Sequence, residues 1–568
     1  MKAYPSPIHH SPLTGWHSFY APLVMSPSKR SRKKRFLLIA AGIVLAALTG
    51  IIFLANFFLE PALQKKLHTL IIQGSDSLYT YQLGKLNASF FGGDVAVENL
   101  RIDIDSNRYK VLEQRNALPS LTMQLTLEKG HIKGVGLISV LFGRKITIEE
   151  IMTKQANIRL SRHVNEKERV KENLPLWKAM QPSIKSISVN HIKLDGVKFL
   201  YNNADTSESV KLQFDRFDAL VDHLQIDSTA AEDTSRIGFA KNIFLKFHDL
   251  KFRTADSSYK MKAEWITYSS KNKTVEIDSF KLQPTLEKEE FYKHYAVQAS
   301  LYYVEFQKIR LINTHLDRFI RNDVVDADSM ILQTPQLNVY IDKTQERQFK
   351  SKIGNYPHQK LRQAGAKISI KNIVVRNGTV EHTEKNDGTG KEGTFSLSAL
   401  NLVIKNVTND STLIKQNNIC TADAEGRILG NSPVKASFKF YLDSSNGRFD
   451  VSGSVKNITE KQLNPLSVPL ANTAVPSLAI HEINFSISAE DFEAWADVRM
   501  RYDHLAVVLR KMDEETGEAI TRKFLTRALN RYVLYPDNPG PDGVERTAQH
   551  VHFARLTTQS FFGVIWKT

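Results

Sequence analysis

Cysteine is all but missing from this chain of 568 residues: Cys420 stands alone. A single thiol excludes an intrachain disulfide framework and a cysteine-based zinc cluster. The usual signatures of catalysis are missing too. There is no HExxH, no GxSxG, no P-loop and no dinucleotide-binding glycine pattern. Gly388-Thr389-Gly390-Lys391 has the wrong spacing and no Ser or Thr after the lysine, so it reads as a loop. Acidic residues are absent before Glu60, where Lys2, Lys29, Arg30, Arg32, Lys33, Lys34 and Arg35 supply much of the net charge of +16. Without those seven the remainder carries about +9, and a nucleic-acid partner loses most of its appeal. With 42% hydrophobic and 24% charged residues, the chain is too apolar to be disordered and too polar to be a multi-span membrane protein.

What is present begins with a basic cluster, Lys29 to Arg35, that runs directly into an uncharged stretch, Phe36 to Leu59. A helix of that length covers about 36 Å, enough to cross a hydrocarbon core of about 30 Å. It is too long for a signal-peptide core, and Leu54-Ala55-Asn56 is a poor cleavage site. The positive-inside rule puts the basic end in the cytoplasm and everything after Leu59 on the far side. No second stretch matches it, so the expectation is one transmembrane helix at 36–59. Residues 1–35 would form a basic cytoplasmic N-terminus, of which 1–24 does not read as a folded element. Met25 is the more natural start.

Beyond a juxtamembrane helix and linker at 60–83, the chain reads as strand almost throughout. Period-2 alternation puts Val434, Ala436, Phe438, Phe440 and Leu442 on one face of a strand. It does the same for Ile483, Phe485 and Ile487, and for Ala494, Ala496, Val498 and Met500. One apolar and one wet face per strand is the habit of antiparallel sheets. Helical pieces are few: parts of 166–180, 315–330 and 524–534.

Weak repetition is visible as well. Ile187 to Tyr201 (ISVNHIKLDGVKFLY) resembles Ile368 to His382 (ISIKNIVVRNGTVEH). Asp195-Gly196 and Asn377-Gly378 are tight-turn pairs, so each segment is expected to be a strand, a bend and a returning strand. Lys85 to Ile104 and Ile146 to Leu160 have the same rhythm, and four such units favour an elongated, stacked β architecture. His550 and His552, spaced to share a strand face, are candidate metal ligands, and Asp103 with Asp105 a candidate carboxylate pair. A solvated strand accounts for both pairs without chemistry. No catalytic, cofactor or metal site is expected, and Cys420 is expected to pack as a small hydrophobe.

A membrane anchor followed by LYTYQLGKLNASFFGGDVAVENLRID (Leu78 to Asp103) resembles the start of AsmA-like proteins. The centre, with Gly393 to Asn409 after the second repeat segment, resembles Bacteroidetes-type members. So does the order Val451 to Ala471, Ile483 to Leu509, Ser560 to Trp566. Ala496-Asp497 departs from it where members often have glycine, and the chain ends at Thr568 where many continue into a helix. The resemblance implies an inner-membrane anchor with the bulk in the periplasm. It divides the exported part into 84–365, an N-terminal and middle β region, 366–510, an AsmA-like C-terminal β region, and 511–568, a tail of helix and strand. It also implies a mainly β, elongated, curled antiparallel sheet with an apolar groove for phospholipid acyl chains, as in TamB and chorein-type bridge proteins. No cofactor is implied. The candidate groove lining is Val434, Ala436, Phe438, Phe440, Leu442, Ile483, Phe485, Ile487, Val498 and Met500. The implied function is phospholipid transfer between inner and outer membranes, supporting outer-membrane homeostasis. The alternative is a structural or assembly factor that holds outer-membrane or envelope proteins. Alternation does not separate a groove from a packed core, and about 25 strands at ~4.8 Å would span about 120 Å.

Overall fold

The computed structural model describes residues 59–568 apart from 66, 74, 90–91, 116, 120, 137–144, 164–176, 179–184, 204–211, 238, 255, 348 and 513–518. The expected span at 36–59 therefore lies outside the described residues but for Leu59, as do residues 1–35. Among the described residues, no helix is long and apolar enough to cross a membrane. Residues Glu60–Thr568 form one compact unit. Among the described residues strand accounts for 59% and helix for 18%, so this unit is mainly β, built as one large curled sheet of 21 strands.

The strands lie in the sheet nearly in chain order. β1 (Tyr79–Ser89), β2 (Asp94–Ile104), β3 (Leu121–Lys133) and β4 (Lys145–Arg162) are successively antiparallel. β5 (Ser186–Asn203) runs parallel to β4. β6 (Leu212–Ile226), β7 (Asn242–Arg253), β8 (Tyr259–Ser269), β9 (Thr274–Pro284) and β10 (Leu301–Ile312) follow antiparallel. Next come β11 (Val324–Gln333) and β12 (Gln336–Asp342), two halves of one line interrupted at Thr334-Pro335. Both halves pair antiparallel with β10 and parallel with β13 (Lys367–Lys385). From there β14 (Glu392–Thr408), β15 (Ile419–Ile428), β16 (Ser432–Tyr441), β17 (Phe449–Thr459), β18 (Thr473–Ala489) and β19 (Glu493–Met512) are antiparallel. β20 (Ala519–Thr521) and β21 (Thr547–Ala554) pair with the two ends of β19.

Two expectations are corrected here. The sheet is mixed rather than antiparallel, because the connections 163–185 and 343–366 are long enough to carry the chain back to the end it started from. And the resembling segments are not hairpins: each is one unbroken strand, β5 or β13. The residues read as tight turns are irregularities within them. Gly196 (φ 69°) and Asn377 (φ 53°) take the left-handed conformation mid-strand, and the pairing register shifts on either side. A Gly or Asn pair thus marked a change of pleat, not a reversal of chain direction. The repeat itself is real at the level of topology, since β5 and β13 each open a parallel junction and are each followed by an antiparallel strand.

Such left-handed residues recur at matching depth across the sheet. Asn99, Gln155, Gly196, Asp249, Ser279, Asn377 and Ala399 all have φ between 48° and 69°. Each forces a three-residue step into a two-residue rhythm, so β5 keeps Ile187, Val189, Ile192, Leu194, Val197, Phe199 and Tyr201 on one face.

Candidate functional site: an apolar track across the sheet

Residues directly opposite one another on neighbouring strands share a face. Following the register from strand to strand shows that one apolar row crosses the sheet with few breaks. It starts at Leu86, passes Val97, Gly130 and Thr153, and reaches Leu194 and Ala219. It continues through Leu245, Tyr268, Val275, Leu311, Met330 and Ile373. It ends with Ile404, Ala422, Phe438, Val451, Ile487, Ala496 and Val551. A second row runs beside it for much of the way: Phe217, Phe247, Ile266, Ile277, Ile309, Leu332, Val375 and Leu402. Aromatic rings thicken the track on β5 to β7, where Phe199 stacks on Phe214 at 4.8 Å and Phe217 on Phe247 at 4.7 Å.

The opposite face is ionic. Lys281 meets Glu305 at 2.9 Å, Lys308 meets Asp278 at 3.0 Å, and Arg310 meets Glu276 at 3.0 Å. Arg216 lies between Asp195 (2.8 Å) and Asp218 (3.0 Å). A depression of about 790 Å³ beside Arg216 is lined by Gln82, Arg101, Gln155 and Lys198, and also by the apolar Leu127 and Ala156. None of the row's residues lines it, so this depression is not part of the track.

The track has two different environments. In the middle of the chain Leu194, Leu245, Val275, Leu311, Met330 and Ile373 are only half-buried, while Ala219 and Tyr268 between them are 2% and 4% exposed. Beyond β14 the same face is covered. The helix Phe561–Lys567 lays Phe561, Val564 and Ile565 on a core of Cys420, Ala422, Phe440, Phe449, Val451 and Ile487. Tyr356 and Leu361, from the connection before β13, pack into the same core. The helix Glu460–Ala471 covers a neighbouring stretch with Leu463 and Leu466, over Ile428, Val455, Ile458 and Ile480. Close approach is built in at Gly453, where a Cβ would meet the Phe485 ring at 2.6 Å.

A buried polar knot pins this cover. Arg555, with its side chain 1% exposed, reaches Asp491 at 3.5 Å and donates to the Lys352 and Gln559 carbonyls at 3.0 and 2.8 Å. Its guanidinium lies 4.3 Å from the Tyr356 ring centre. Gln359 donates to Asp491 at 2.9 Å, and the Tyr356 hydroxyl donates to the Glu490 carbonyl at 2.9 Å. His358 is buried beside Phe440 with neither ring nitrogen hydrogen-bonded, and burial pushes it down to about 4. The Cys420 thiol is pushed up to about 11 by burial and is correspondingly inert.

The ten residues proposed from sequence all lie on the track's face, under or beside this cover. Leu442, Ile487 and Phe440 are 0%, 3% and 8% exposed in closed packing. Phe438, Phe485 and Val498 border the same core, while Val434, Ile483 and Met500 border the neighbouring one. Ala436 is half-buried between them. Sequence reasoning missed the half-buried stretch on β5 to β13. The signal that could have found it is the 2-3-2-3-2-2 spacing shared by the two resembling segments. The weaker candidates have structural work. Asp105 caps the helix Ser106–Gln114 by accepting from the Arg108 N–H at 2.7 Å, and Asp103 pairs with Arg101. His550 sits at a left-handed residue (φ 49°) where the β19–β21 register shifts, and His552 lies 3.9 Å from Glu493. Among the described residues, no three His, Cys, Asp or Glu side chains group as metal ligands would. Asn386 folds the Gly388–Lys391 loop by accepting from the Gly388 and Thr389 N–H groups, each at 2.9 Å.

The chain matches no model of a known protein family and no curated protein.

Proposed function

We propose that this protein is an AsmA-like carrier, anchored by residues 36–59 in a bacterial inner membrane with its bulk in the periplasm. In this reading its sheet accepts phospholipid acyl chains along the apolar track and passes them toward the outer membrane. The observation that carries the proposal is the apolar row from Leu194 to Ile373, uninterrupted through eight strands, with six of its eight residues half-buried and only Ala219 and Tyr268 sealed, and backed by an ionic outer face. An acyl chain leaves water at about 0.8 kcal/mol per CH₂, so some sixteen carbons gain over ~10 kcal/mol without any one residue contributing much. Such binding is diffuse, which suits a chain without a compact motif. At ~4.8 Å per strand the full row is about 86 Å long. Headgroups would stay outside the track, and no group on it needs to do chemistry.

The test is direct. The region Glu60–Thr568, purified gently, should yield phospholipid by mass spectrometry, and a photo-crosslinker at Leu245 or Leu311 should label acyl chains. Lipid-free protein with no crosslink would leave the second reading, an assembly factor for envelope proteins. The helices that close the track beyond β14 favour that reading, because they give the C-terminal part a rigid, sealed core suited to presenting a surface.

A further inference from the structure

Large apolar side chains are exposed far more often near the C-terminus than elsewhere, and one group of them is attached back to front. The helical segment 523–533 lies along the edge of β19, between its pairing with β20 and the bridge from Tyr502 to Asn538. Its polar residues face the protein. Asn530 accepts from the Val507 N–H at 2.9 Å and donates to the Val507 carbonyl at 2.6 Å, and the Leu509 N–H donates to Thr526 Oγ1 at 3.1 Å. These bonds replace a neighbouring strand and hold the segment by its hydrophilic side. Its apolar side is turned outward: Phe524 is 84% exposed, Tyr532 78%, Val533 65% and Leu525 45%. Lys523, Arg527 and Arg531 are exposed around that side, and the segment contains no acid. The acids at 513, 514, 515 and 518 precede it in sequence and lie outside the described residues.

A helix that buries amides and hydroxyls while presenting two aromatics, a leucine and a valine to solvent gains nothing from water. Aromatic and aliphatic tips interleaved with cations are the chemistry of a segment lying in a bilayer interface, where rings enter the headgroup region and cations meet lipid phosphates. We propose that residues 523–533 dock the C-terminal end of the sheet onto an anionic phospholipid bilayer. The proposal goes beyond the track's role and does not rest on it, since the segment lies on the edge of β19, and its apolar side chains are not among those of the track.

Full-length protein, exchanged from detergent into amphipol, is floated with vesicles of phosphatidylcholine alone or with 30% phosphatidylglycerol. The wild type should float with the anionic vesicles and partition at least tenfold less onto the neutral ones. F524E/Y532E should lose at least tenfold of the anionic binding, and F524W/Y532W should retain it. R527A/R531A should weaken only the anionic binding and flatten its dependence on salt. Equal flotation of wild type and F524E/Y532E overturns the proposal, and so does wild-type protein that does not float. Concentration-dependent self-association abolished by F524E/Y532E also overturns it, assigning the surface to a second copy. Lipid retained in the track of F524E/Y532E, measured by mass spectrometry, separates this outcome from the fate of the carrier reading.

Discussion

Leu311 and Ile487 stand in one cross-strand row, yet Leu311 is half-buried and Ile487 is 3% exposed. The strands beneath them do not differ in kind. What differs is the cover. Over β14 to β19 the helices 357–362, 460–471 and 561–567 fill the face, and the buried Arg555–Asp491 pair fastens two of them to the β18–β19 turn. Over β5 to β13 the cover is partial: Ala219 and Tyr268 are sealed, while Leu194, Leu245, Val275, Leu311, Met330 and Ile373 stay half-buried. One ladder is therefore sealed in one region and only partly covered in another, and the choice is made by segments outside the ladder.

The largest expected effect separates the two regions by inserting a charge. Phe440→Asp would place a carboxylate in closed packing, which costs more than a domain of this kind can spare. The expected result is an unfolded or aggregated protein by circular dichroism and gel filtration. Leu311→Asp, in the half-open stretch, should fold with a modest drop in melting temperature and lose acyl crosslinking. If both variants fold alike, the contrast between covered and open track is wrong.

Breaking the fastening comes next. Arg555→Met leaves Asp491 buried without its cation, a change that usually costs about 3–5 kcal/mol. Chemical denaturation should show that loss, and limited proteolysis should cut first within 343–366 and 555–568. A loss below about 1 kcal/mol would mean the helices hold by apolar contact alone.

The smallest effect is on pH. His358 is held neutral, its value brought from 6.5 to about 4 chiefly by burial, partly opposed by Asp491 and reinforced by Arg362. The unfolded chain takes up a proton below about 6.5 that the folded chain refuses until about 4. Stability is therefore intact above pH 6.5 and declines as pH falls toward 4, by up to about 3 kcal/mol. His358→Leu should flatten that decline in melting curves taken between pH 7 and 4. A wild type and variant with parallel curves would place the acid sensitivity elsewhere.

The sequence was informative about strands and poor about junctions. Val434 to Leu442 and Ile483 to Ile487 show their faces by simple alternation, and the structure has them in β16, with Leu442 just past its end, and β18. The rhythm around Asp195-Gly196 and Asn377-Gly378 looked like hairpins because Asn-Gly and Asp-Gly pairs supply positive φ equally well to a turn and to a bulge. Only the partner strand decides which one forms. Parallel pairing of β4 with β5 was invisible for the same reason: direction is set by where a long connection returns, and residues 163–185 carry no local mark of it. Three-residue steps also hid the half-open part of the track, since a search for strict alternation discards Ile187, Val189, Ile192 and Leu194 as a set.

What the residues determined unaided is the two-faced strand, repeated some twenty times, with one oily side and one charged side. That follows from the period of the backbone and needs no neighbour. Whether an oily side is sealed or left for a ligand was decided in three dimensions, because sealing depends on helices distant in sequence, such as 357–362 and 561–567, arriving over β15 to β18. Burial is a property of what lies above a side chain, and no strand encodes its own lid.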